Sequence, residues 1–409
     1  MRDVTVPQGG SMKLDKVDGY LVLEDRAKVE AEGSEPIVVT AEVACKGDAE
    51  FNGSLKCARF NAENGRVRVS GDLRVTTEVE VKDGDLRVDG SLEAREVQVD
   101  SRLKVGKTAK ADKFEVGGTM EIGESVAGRT IEVGGSFECR GTVHADEVDV
   151  GGRVEVEGPV EIGELEAGGS ARVGGGTISR DIDVGGTFSS TKPLQFGSID
   201  VGGVVVLAQG GQGRTIDVGG KFESRGNLSF ETIDVGGTVD ISGNGDGESI
   251  DIGGMLNVSG NLSLKRNLEI GGTARIRGVL VLNSLEVGGT VEADQIMAED
   301  TVEVGGRLRT NRGTKARSIE LGDKSEVTGV LVGDRIKIGD RARVDDVYGD
   351  TVELGERTRA GNVYMKGGRF ESRCQITGEV IYTDRLETEE DVEFAKQPVK
   401  ANELPKPPL

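Results

Sequence analysis

The sequence contains a short motif that recurs at an almost constant spacing: apolar, acidic and apolar residues followed by Gly-Gly. The last two occurrences end in Gly-Asp, and the last has Lys337 in place of the acidic residue. The first glycine of the motif stands at Gly117, Gly134, Gly151, Gly168, Gly185, Gly202, Gly219, Gly236, Gly253, Gly271, Gly288, Gly305, Gly322 and Gly339. Subtracting neighbouring positions gives 17 each time, except for one 18 between Gly253 and Gly271. A repeat this short and regular predicts a solenoid, in which one small supersecondary unit is stacked many times.

Each repeat contains three short runs in which apolar and polar residues alternate, for example residues 216–218, 222–224 and 228–230. Such alternation predicts a β-strand with one inward side, and the Gly and polar residues between runs permit corners. Stepping by the period gives a column of apolar residues: Met120, Phe137, Val154, Ala171, Phe188, Val205, Phe222, Val239, Leu256, Ala274, Val291 and Leu308. We therefore predict an all-β fold, a single long parallel β-helix with about 17 residues and three short strands per coil.

The period also sets the expected boundaries. It is strict from about residue 86 to about residue 355 and less regular over residues 12–80. We predict an N-terminal tail over residues 1–11, the β-helix over residues 12–394 and a flexible tail over residues 395–409, which holds four of the eight prolines. At 17 residues per coil the β-helix has roughly 22 coils, which at ~4.8 Å per coil form a rod about 100 Å long.

The composition excludes some classes of function and favours others. The formal net charge of −21 argues against nucleic acid as a partner, because binding to phosphates needs a basic surface. No apolar stretch approaches the roughly 20 residues of a membrane-spanning helix, and the N-terminus lacks a signal-peptide core. The four cysteines form no CxxC motif, which favours a cytoplasmic protein with reduced thiols. Cys139 falls between Ile122 and Val156 in a second inward column, so we expect it to be buried.

Enzymatic activity is not expected. His144 is the only histidine and should point outward, whereas acyltransferases and carbonic anhydrases built on short-coil β-helices need catalytic or metal-binding histidines. The regular coils also lack the insertions that build a catalytic cleft in β-helical polysaccharide lyases and hydrolases. We interpret the Gly-Gly pairs as corners, which need either positive φ or close approach of stacked backbones. Phosphate binding by these glycines is not expected, because no helix follows them. No cofactor is expected.

Two charged features are candidate sites. The acidic residues of the motif should form an outward column, here called the acidic column: Asp183, Asp200, Asp217, Asp234 and Asp251, continued by Glu269, Glu286, Glu303 and Glu320. It is either a solvated face or a surface for cations or cationic partners, and it is only a weak candidate for a metal site. The second feature, the basic patch, comprises Arg307, Arg309, Arg312, Lys315 and Arg317. Local charge compensation is one explanation of the patch, and contact with an acidic partner or an anionic membrane surface is the other.

Residues 326–394 resemble the bactofilins, a family of polymer-forming cytoskeletal proteins. The likeness lies in the GDRIKIG and VYGDTVELG phrases, in the G-x-V recurrences at residues 361–363 and 378–380, in the rung length and in the Pro-rich tail. The resemblance implies a right-handed parallel β-helix that polymerises through its ends into non-polar filaments without nucleotide. It is strongest over about the last 70 residues, and bactofilin domains have far fewer coils.

Physical reasoning leads to the same function, because a β-helix end exposes unpaired strands and an open core. The first hypothesis is a structural, non-enzymatic protein that self-associates end to end. The second is a monomeric scaffold or surface-binding rod, and the third is a carbohydrate-active enzyme. The candidate interface residues are Tyr20, Leu21, Leu23, Val380, Tyr382, Val392 and Phe394. Other proteins are candidate partners through the basic patch or the Pro-rich tail.

Overall fold

The structure is a computed structural model that describes residues 3–409. The predicted fold class is confirmed: the regular structure of these residues is entirely β, and parallel strands stack as a β-solenoid of about 23 turns with ~17 residues per turn. The contacts divide the chain into two units, Met1–Gly203 and Val204–Leu409, which are described separately below as the first and second unit.

The strands of the first unit are short and mostly four residues long. They are β1 (Val4–Val6), β2 (Ser11–Leu14), β3 (Lys16–Val17), β4 (Leu21–Leu23), β5 (Ala27–Ala31), β6 (Ile37–Lys46), β7 (Ala49–Asn52), β8 (Leu55–Glu63), β9 (Arg66–Val69), β10 (Leu73–Val75), β11 (Glu78–Lys82), β12 (Asp85–Val88), β13 (Leu92–Glu93) and β14 (Glu96–Val99). They continue with β15 (Arg102–Val105), β16 (Ala109–Lys110), β17 (Lys113–Val116), β18 (Thr119–Ile122), β19 (Val126–Ala127), β20 (Thr130–Val133), β21 (Ser136–Cys139), β22 (Val143–Val150), β23 (Arg153–Val156), β24 (Val160–Ala167), β25 (Ser170–Val173), β26 (Gly176–Val184), β27 (Thr187–Ser190) and β28 (Leu194–Val201).

The second unit follows the same plan. Its strands are β29 (Val204–Leu207), β30 (Gly211–Gln212), β31 (Thr215–Val218), β32 (Lys221–Ser224), β33 (Leu228–Ser229), β34 (Thr232–Val235), β35 (Thr238–Ile241), β36 (Gly245–Gly247), β37 (Ser249–Ile252), β38 (Met255–Val258), β39 (Leu262–Leu264), β40 (Asn267–Ile270) and β41 (Thr273–Leu282). They continue with β42 (Ser284–Val287), β43 (Thr290–Ala298), β44 (Thr301–Val304), β45 (Arg307–Leu321), β46 (Glu326–Thr328), β47 (Leu331–Ile338), β48 (Arg343–Val344), β49 (Val347–Leu354), β50 (Arg359–Ala360), β51 (Val363–Phe370), β52 (Gln375–Ile376), β53 (Val380–Thr388), β54 (Glu393–Phe394) and β55 (Val399–Lys400).

The predicted inward columns stack in register within each unit. In the first unit Met120 pairs with Phe137, Phe137 with Val154, Val154 with Ala171 and Ala171 with Phe188. All five side chains are buried, and the column from Val205 to Leu308 in the second unit is buried likewise. Because each inward residue lies directly on its counterpart in the next turn, alternation along the strand produces one continuous apolar core.

The Gly-Gly corners show which of the two expected reasons for glycine applies. None of the motif glycines described has a positive φ, so that half of the interpretation is wrong. A Cβ on Gly134 would lie 2.2 Å from the carbonyl oxygen of Gly117, and one on Gly151 would lie 2.4 Å from that of Gly134. The close approach of stacked backbones therefore excludes a side chain at these corners, because real Cβ atoms do not come so near an oxygen.

Other corners are held by polar side chains that the sequence analysis did not identify. The amide N–H of Asn244 donates to Oδ1 of Asn227 at 2.9 Å, and that of Asn261 donates to Oδ1 of Asn244 at 2.9 Å. Asp323 and Asp340 act in the same way, because the N–H of Asp340 donates to Oδ1 of Asp323 at 3.0 Å. Each side chain thus satisfies a corner amide of the next turn, which a buried or half-buried N–H requires.

Strand pairing extends beyond residues 12–394. β1 pairs with β4, with Val4 opposite Leu21 and Val6 opposite Leu23, so part of the expected N-terminal tail belongs to the solenoid. At the other end β55 pairs with β53, with Val399 opposite Ile381. Among the early turns, Leu21 pairs with Val43, a spacing of 22 residues.

Candidate functional site

The first turn of the first unit consists of β1, β2 and β3, which pair only with strands that follow them among residues 3–409. Three of its apolar side chains, Val4, Met12 and Leu14, are half-buried, whereas Val6 and Val17 of the same turn are buried. Of the three candidate interface residues near this end, Tyr20 is 47% exposed, but Leu21 and Leu23 are fully buried beneath β1. The open apolar surface therefore lies one turn earlier than the sequence analysis placed it.

The last turn of the second unit contains β53, β54 and β55. Of the four candidate interface residues there, Val380 is buried, whereas Tyr382, Val392 and Phe394 are half-buried. The rings of Phe394 and Phe370 lie 6.3 Å apart, so Phe394 packs on the preceding turn. β55 covers only residues 381 and 382 of β53. Within the described residues, the strand edges at residues 385–388 and at β54 consequently have no partner on their outer side.

Acidic residues surround this last turn. Residues 384–393 contain six of them and one arginine, a formal charge of 1 − 6 = −5. Arg385 pairs with Glu387, and Nη2 of Arg369 lies 2.6 Å from Oε1 of Glu389. Hydrogen bonds from Arg369 and Ser372 lower the pKa of Glu389, so this carboxylate remains charged at neutral pH. The open edge of the last turn is therefore apolar at its centre and negative at its rim.

The acidic column is present in both units, and the five aspartates predicted for it are all exposed. In the first unit Asp149 pairs with Glu166, Glu166 with Asp183 and Asp183 with Asp200. Partial burial raises the pKa of Glu166, and the negative charges of Asp149 and other neighbouring carboxylates raise it further. Burial and the charge of Asp200 do the same to the pKa of Asp183. Stacked like charges therefore disfavour the ionised form, as expected for parallel strands.

No group of three or more His, Cys, Asp or Glu residues in the described part of the chain is arranged to hold a metal ion. The acidic column is consequently a row of carboxylates spaced by the turns rather than a set of converging ligands. In the same register of earlier turns, Nζ of Lys113 lies 3.2 Å from Glu115 of its own strand and 3.2 Å from Glu132 of the next turn.

The basic patch is compensated locally. Arg309 pairs with Glu292 at 3.4 Å, Arg312 with Asp294 at 2.6 Å and Arg317 with Asp300 at 2.9 Å, all with acids of the preceding turn. Arg307 pairs with Glu326 of the following turn at 3.0 Å. Lys315 is the one member that forms no ion pair with any of residues 3–409. The structure thus favours charge compensation over a free basic surface.

The Pro-rich tail packs against the side of the second unit. Its path begins where the N–H of Ala401 donates to the carbonyl of Tyr382 at 2.9 Å. Leu404, Pro405, Lys406 and Pro407 then line one wall of a cleft whose other wall includes Val332, Tyr348 and Tyr364. At the far end, a side-chain carbon of Leu409 lies 2.9 Å from the position that a Cβ on Gly313 would occupy. The tail therefore runs back along the stack, away from the open edge of the last turn.

The tail covers an apolar column that the sequence analysis did not identify. Outward-facing residues of successive strands pair in the order Val281, Met297, Lys315, Val332, Tyr348, Tyr364, Ile381 and Val399, here called the outward stripe. The rings of Tyr348 and Tyr364 stack with centroids 4.6 Å apart. Burial raises the pKa of both tyrosines. In the sequence this stripe is visible only as apolar residues at positions where alternation calls for polar ones.

The cysteines and the histidine offer no reactive centre. All four cysteines are buried and unpaired, as expected for Cys139. Burial raises the pKa of the Cys57 thiol to about 12 and that of Cys139 to about 11, and it also raises those of Cys45 and Cys374. A thiol that stays protonated is a poor nucleophile and a poor metal ligand. His144 is exposed, and its Nδ1 lies 3.2 Å from Oε2 of Glu161.

Comparisons with known proteins give no match: no family model, no curated protein and no solved structure matches this chain. Residues 3–409 contain no helix of the length and apolar character needed to cross a membrane.

Proposed function

We propose that this chain is a bactofilin-like structural protein without enzymatic activity, which joins further copies of itself through the terminal turns of its solenoid. The observation that carries the proposal is the last turn of the second unit. There β54 and residues 385–388 pair only with the preceding turn, and the inward side chains of Leu386 and Phe394 are half-buried. Unpaired parallel strand edges and open apolar side chains are the surfaces by which solenoids and sheets add a further strand.

Charge favours contact between unlike ends. Two last turns facing each other would bring together two rims of formal charge −5 each, and like charges at an interface are unfavourable. The first turn is less acidic, because residues 3–18 hold Asp3, Asp15 and Asp18 against Lys13 and Lys16. The proposal therefore favours joining a last turn to a first turn, which would give polar assemblies, in contrast to the non-polar filaments that the bactofilin resemblance implies.

The proposed location is the cytoplasm. Four buried and unpaired thiols are typical of a protein kept in a reducing compartment.

The test is electron microscopy of the purified chain in negative stain over a range of protein and salt concentrations. We expect strings of many copies whose length increases with salt, because salt screens the acidic rim. Phe394→Asp places a charge on the open turn and should abolish the strings. Thr215→Asp places the same charge on an exposed position of β31, which is not part of the last turn, and should leave them intact. Single particles under all conditions would refute end joining and would leave a monomeric scaffold as the function.

A further inference from the structure

The outward stripe differs from the rest of the surface in its composition. Of its eight positions only Lys315 is charged, in a chain in which 30% of residues are Asp, Glu, Lys or Arg. An apolar column on the outer face of a solenoid does not contribute to the core, and contiguous apolar surface of this kind usually marks a binding site. The stacked rings of Tyr348 and Tyr364 form its centre.

The occupant of this stripe in the structure is a proline-rich segment. Residues 404–409 read Leu-Pro-Lys-Pro-Pro-Leu. Proline-rich segments dock on aromatic-lined grooves because their extended conformation is preformed, so little entropy is lost on binding. The leucines at the two ends of the segment are half-buried, whereas the residues between them are exposed. Leu404 and Leu409 therefore anchor the segment, and Pro405 and Pro407 line the same cleft as the two tyrosines.

The reach of the tail is limited by its tether. From Ala401 to Leu409 there are eight residue steps, which span about 25 Å in an extended polyproline conformation. The stripe rises from Tyr382 to Lys315 in four turns, or about 19 Å. Leu409 accordingly lies at Gly313, on the same turn as Lys315. Met297 and Val281 are on the next two turns and remain 42% and 41% exposed.

We propose that the outward stripe is a docking groove for residues 404–409 and that a second copy of this chain can supply this segment in place of the chain's own. The contacts are chemically identical in both cases, which makes exchange of an identical element a low-cost route to association. The short tether gives the chain's own tail an effective concentration of the order of millimolar, so that tail wins in dilute solution. A tail from a second copy has no tether at Ala401, so its six residues, which span about 16 Å, can move one turn further along the stripe and cover Met297.

The experiment uses full-length chains with one or two added cysteines, since the four native thiols are buried. Lys406 and Asp334 are exposed and line the same cleft. A double variant, Lys406→Cys with Asp334→Cys, should form an intramolecular disulfide under mild oxidation. A mixture of the two single variants should form a disulfide-linked heterodimer whose yield rises with protein concentration. Lys406→Cys mixed with Glu303→Cys on the acidic column measures random collision, which the heterodimer should exceed by about 10-fold.

Further variants distinguish docking of the chain's own tail from docking of the tail of a second copy. Tyr348→Ala combined with Tyr364→Ala removes the aromatic centre and should reduce both disulfides. Met297→Asp on the chain that carries Asp334→Cys should reduce the heterodimer and leave the intramolecular disulfide unchanged, because only an untethered tail reaches Met297.

The proposal is overturned if the double variant closes but the mixture never exceeds the collision control up to millimolar protein, since the groove would then serve only its own tail. Failure of both disulfides would overturn docking altogether. Repeating the mixture with Phe394→Asp in both chains makes the result independent of end joining. If chains that keep Phe394 form no strings but the heterodimers are retained, the result counts against the proposed function alone. If those chains form strings but no heterodimers, it counts against tail exchange alone.

Discussion

Replacing Gly134 by alanine tests the reason for the repeating glycines. The added Cβ would lie 2.2 Å from the carbonyl oxygen of Gly117 and 3.1 Å from its carbon. An ordinary contact between a carbon and a carbonyl oxygen is about 3.3 Å or longer, so the two turns must separate locally by about 1 Å. The opposing atoms are backbone, which cannot move aside as a flexible side chain would.

The size of the effect follows from the hydrogen bonds at this corner. The N–H of Gly134 donates to Val116 at 2.8 Å, and that of Gly135 donates to Gly118 at 2.9 Å. A separation of about 1 Å takes both bonds beyond useful length, and each contributes roughly 1 kcal/mol net. Alanine also reduces the entropy of the unfolded chain, which stabilises the folded state by up to about 1 kcal/mol. The expected net loss in free energy of unfolding is therefore about 1–2 kcal/mol.

Gly33→Ala is the matched control, because a Cβ on Gly33 would have no atom within 4 Å and its φ is not positive. It should change stability by less than about 0.5 kcal/mol. Urea unfolding measures the global effect. Amide hydrogen exchange over residues 117–151 measures local opening, because each turn of a solenoid contacts only its neighbours. If Gly134→Ala exchanges as slowly as the unchanged chain, or if Gly33→Ala is equally damaging, close backbone approach is not the reason for these glycines.

Three further predictions concern charge, backbone strain and thiols. The folded-state pKa of Glu166 is raised, so its ionised form destabilises the native state above that pKa. Glu166→Gln should therefore increase the melting temperature at pH 7 and have no effect at pH 3. Because the site is exposed, we expect a gain of a few tenths of a kcal/mol, about 0.3, in the free energy of unfolding at pH 7. Arg341 has a φ of 58°, a left-handed conformation that costs a non-glycine residue about 1 kcal/mol, so Arg341→Gly should stabilise the chain in urea. The four cysteines should react with a thiol reagent only after denaturation, because burial raises their pKa values.

Each of these predictions has a matched control. Hydrogen bonds from Arg225 and Lys221 lower the pKa of Glu223, so this carboxylate stabilises the fold above its unfolded pKa and loses that effect as pH falls. Glu223→Gln should therefore lower the melting temperature at pH 7, and equal shifts for the two Glu→Gln variants would contradict the reasoning. Arg343→Gly, in the middle of the stack on β48, should destabilise the chain. Rapid labelling of any thiol in the native state would contradict the burial described here.

The repeat alone predicts much of the fold. The 17-residue step places Phe137 on Met120 and Val154 on Phe137, and the structure pairs them in that way. Alternation predicts that Asp183 faces solvent and that Cys139 is buried, which are both observed. These features depend only on residues one turn apart, so a constant period is sufficient to read them.

The terminal turns were harder to locate. Leu21 and Leu23 belong to a strand at the beginning of the regular alternation, yet β1 covers them, although it lies in a segment without a detectable period. Val380 is likewise buried, whereas Phe394 is only half-buried. The outermost turn is set by whether one more strand pairs with the end of the stack. Such pairing depends on the fit of a few residues and not on the repeating sequence pattern.

The sequence by itself determined the architecture, the inward columns and the outward acidic column. A short and regular period predicts which residues stack, and the alternation of apolar and polar residues predicts which side chains point inward. Only the tertiary structure decided that the motif glycines avoid a carbonyl rather than adopt positive φ, and that the Pro-rich tail lies on Tyr348 and Tyr364. The physical reason is the range of the interaction. Stacking repeats at every turn, so it leaves a period in the sequence. The distance from a Cβ to the neighbouring backbone and the docking of six residues on a distant face depend on positions in three dimensions, which the period does not specify.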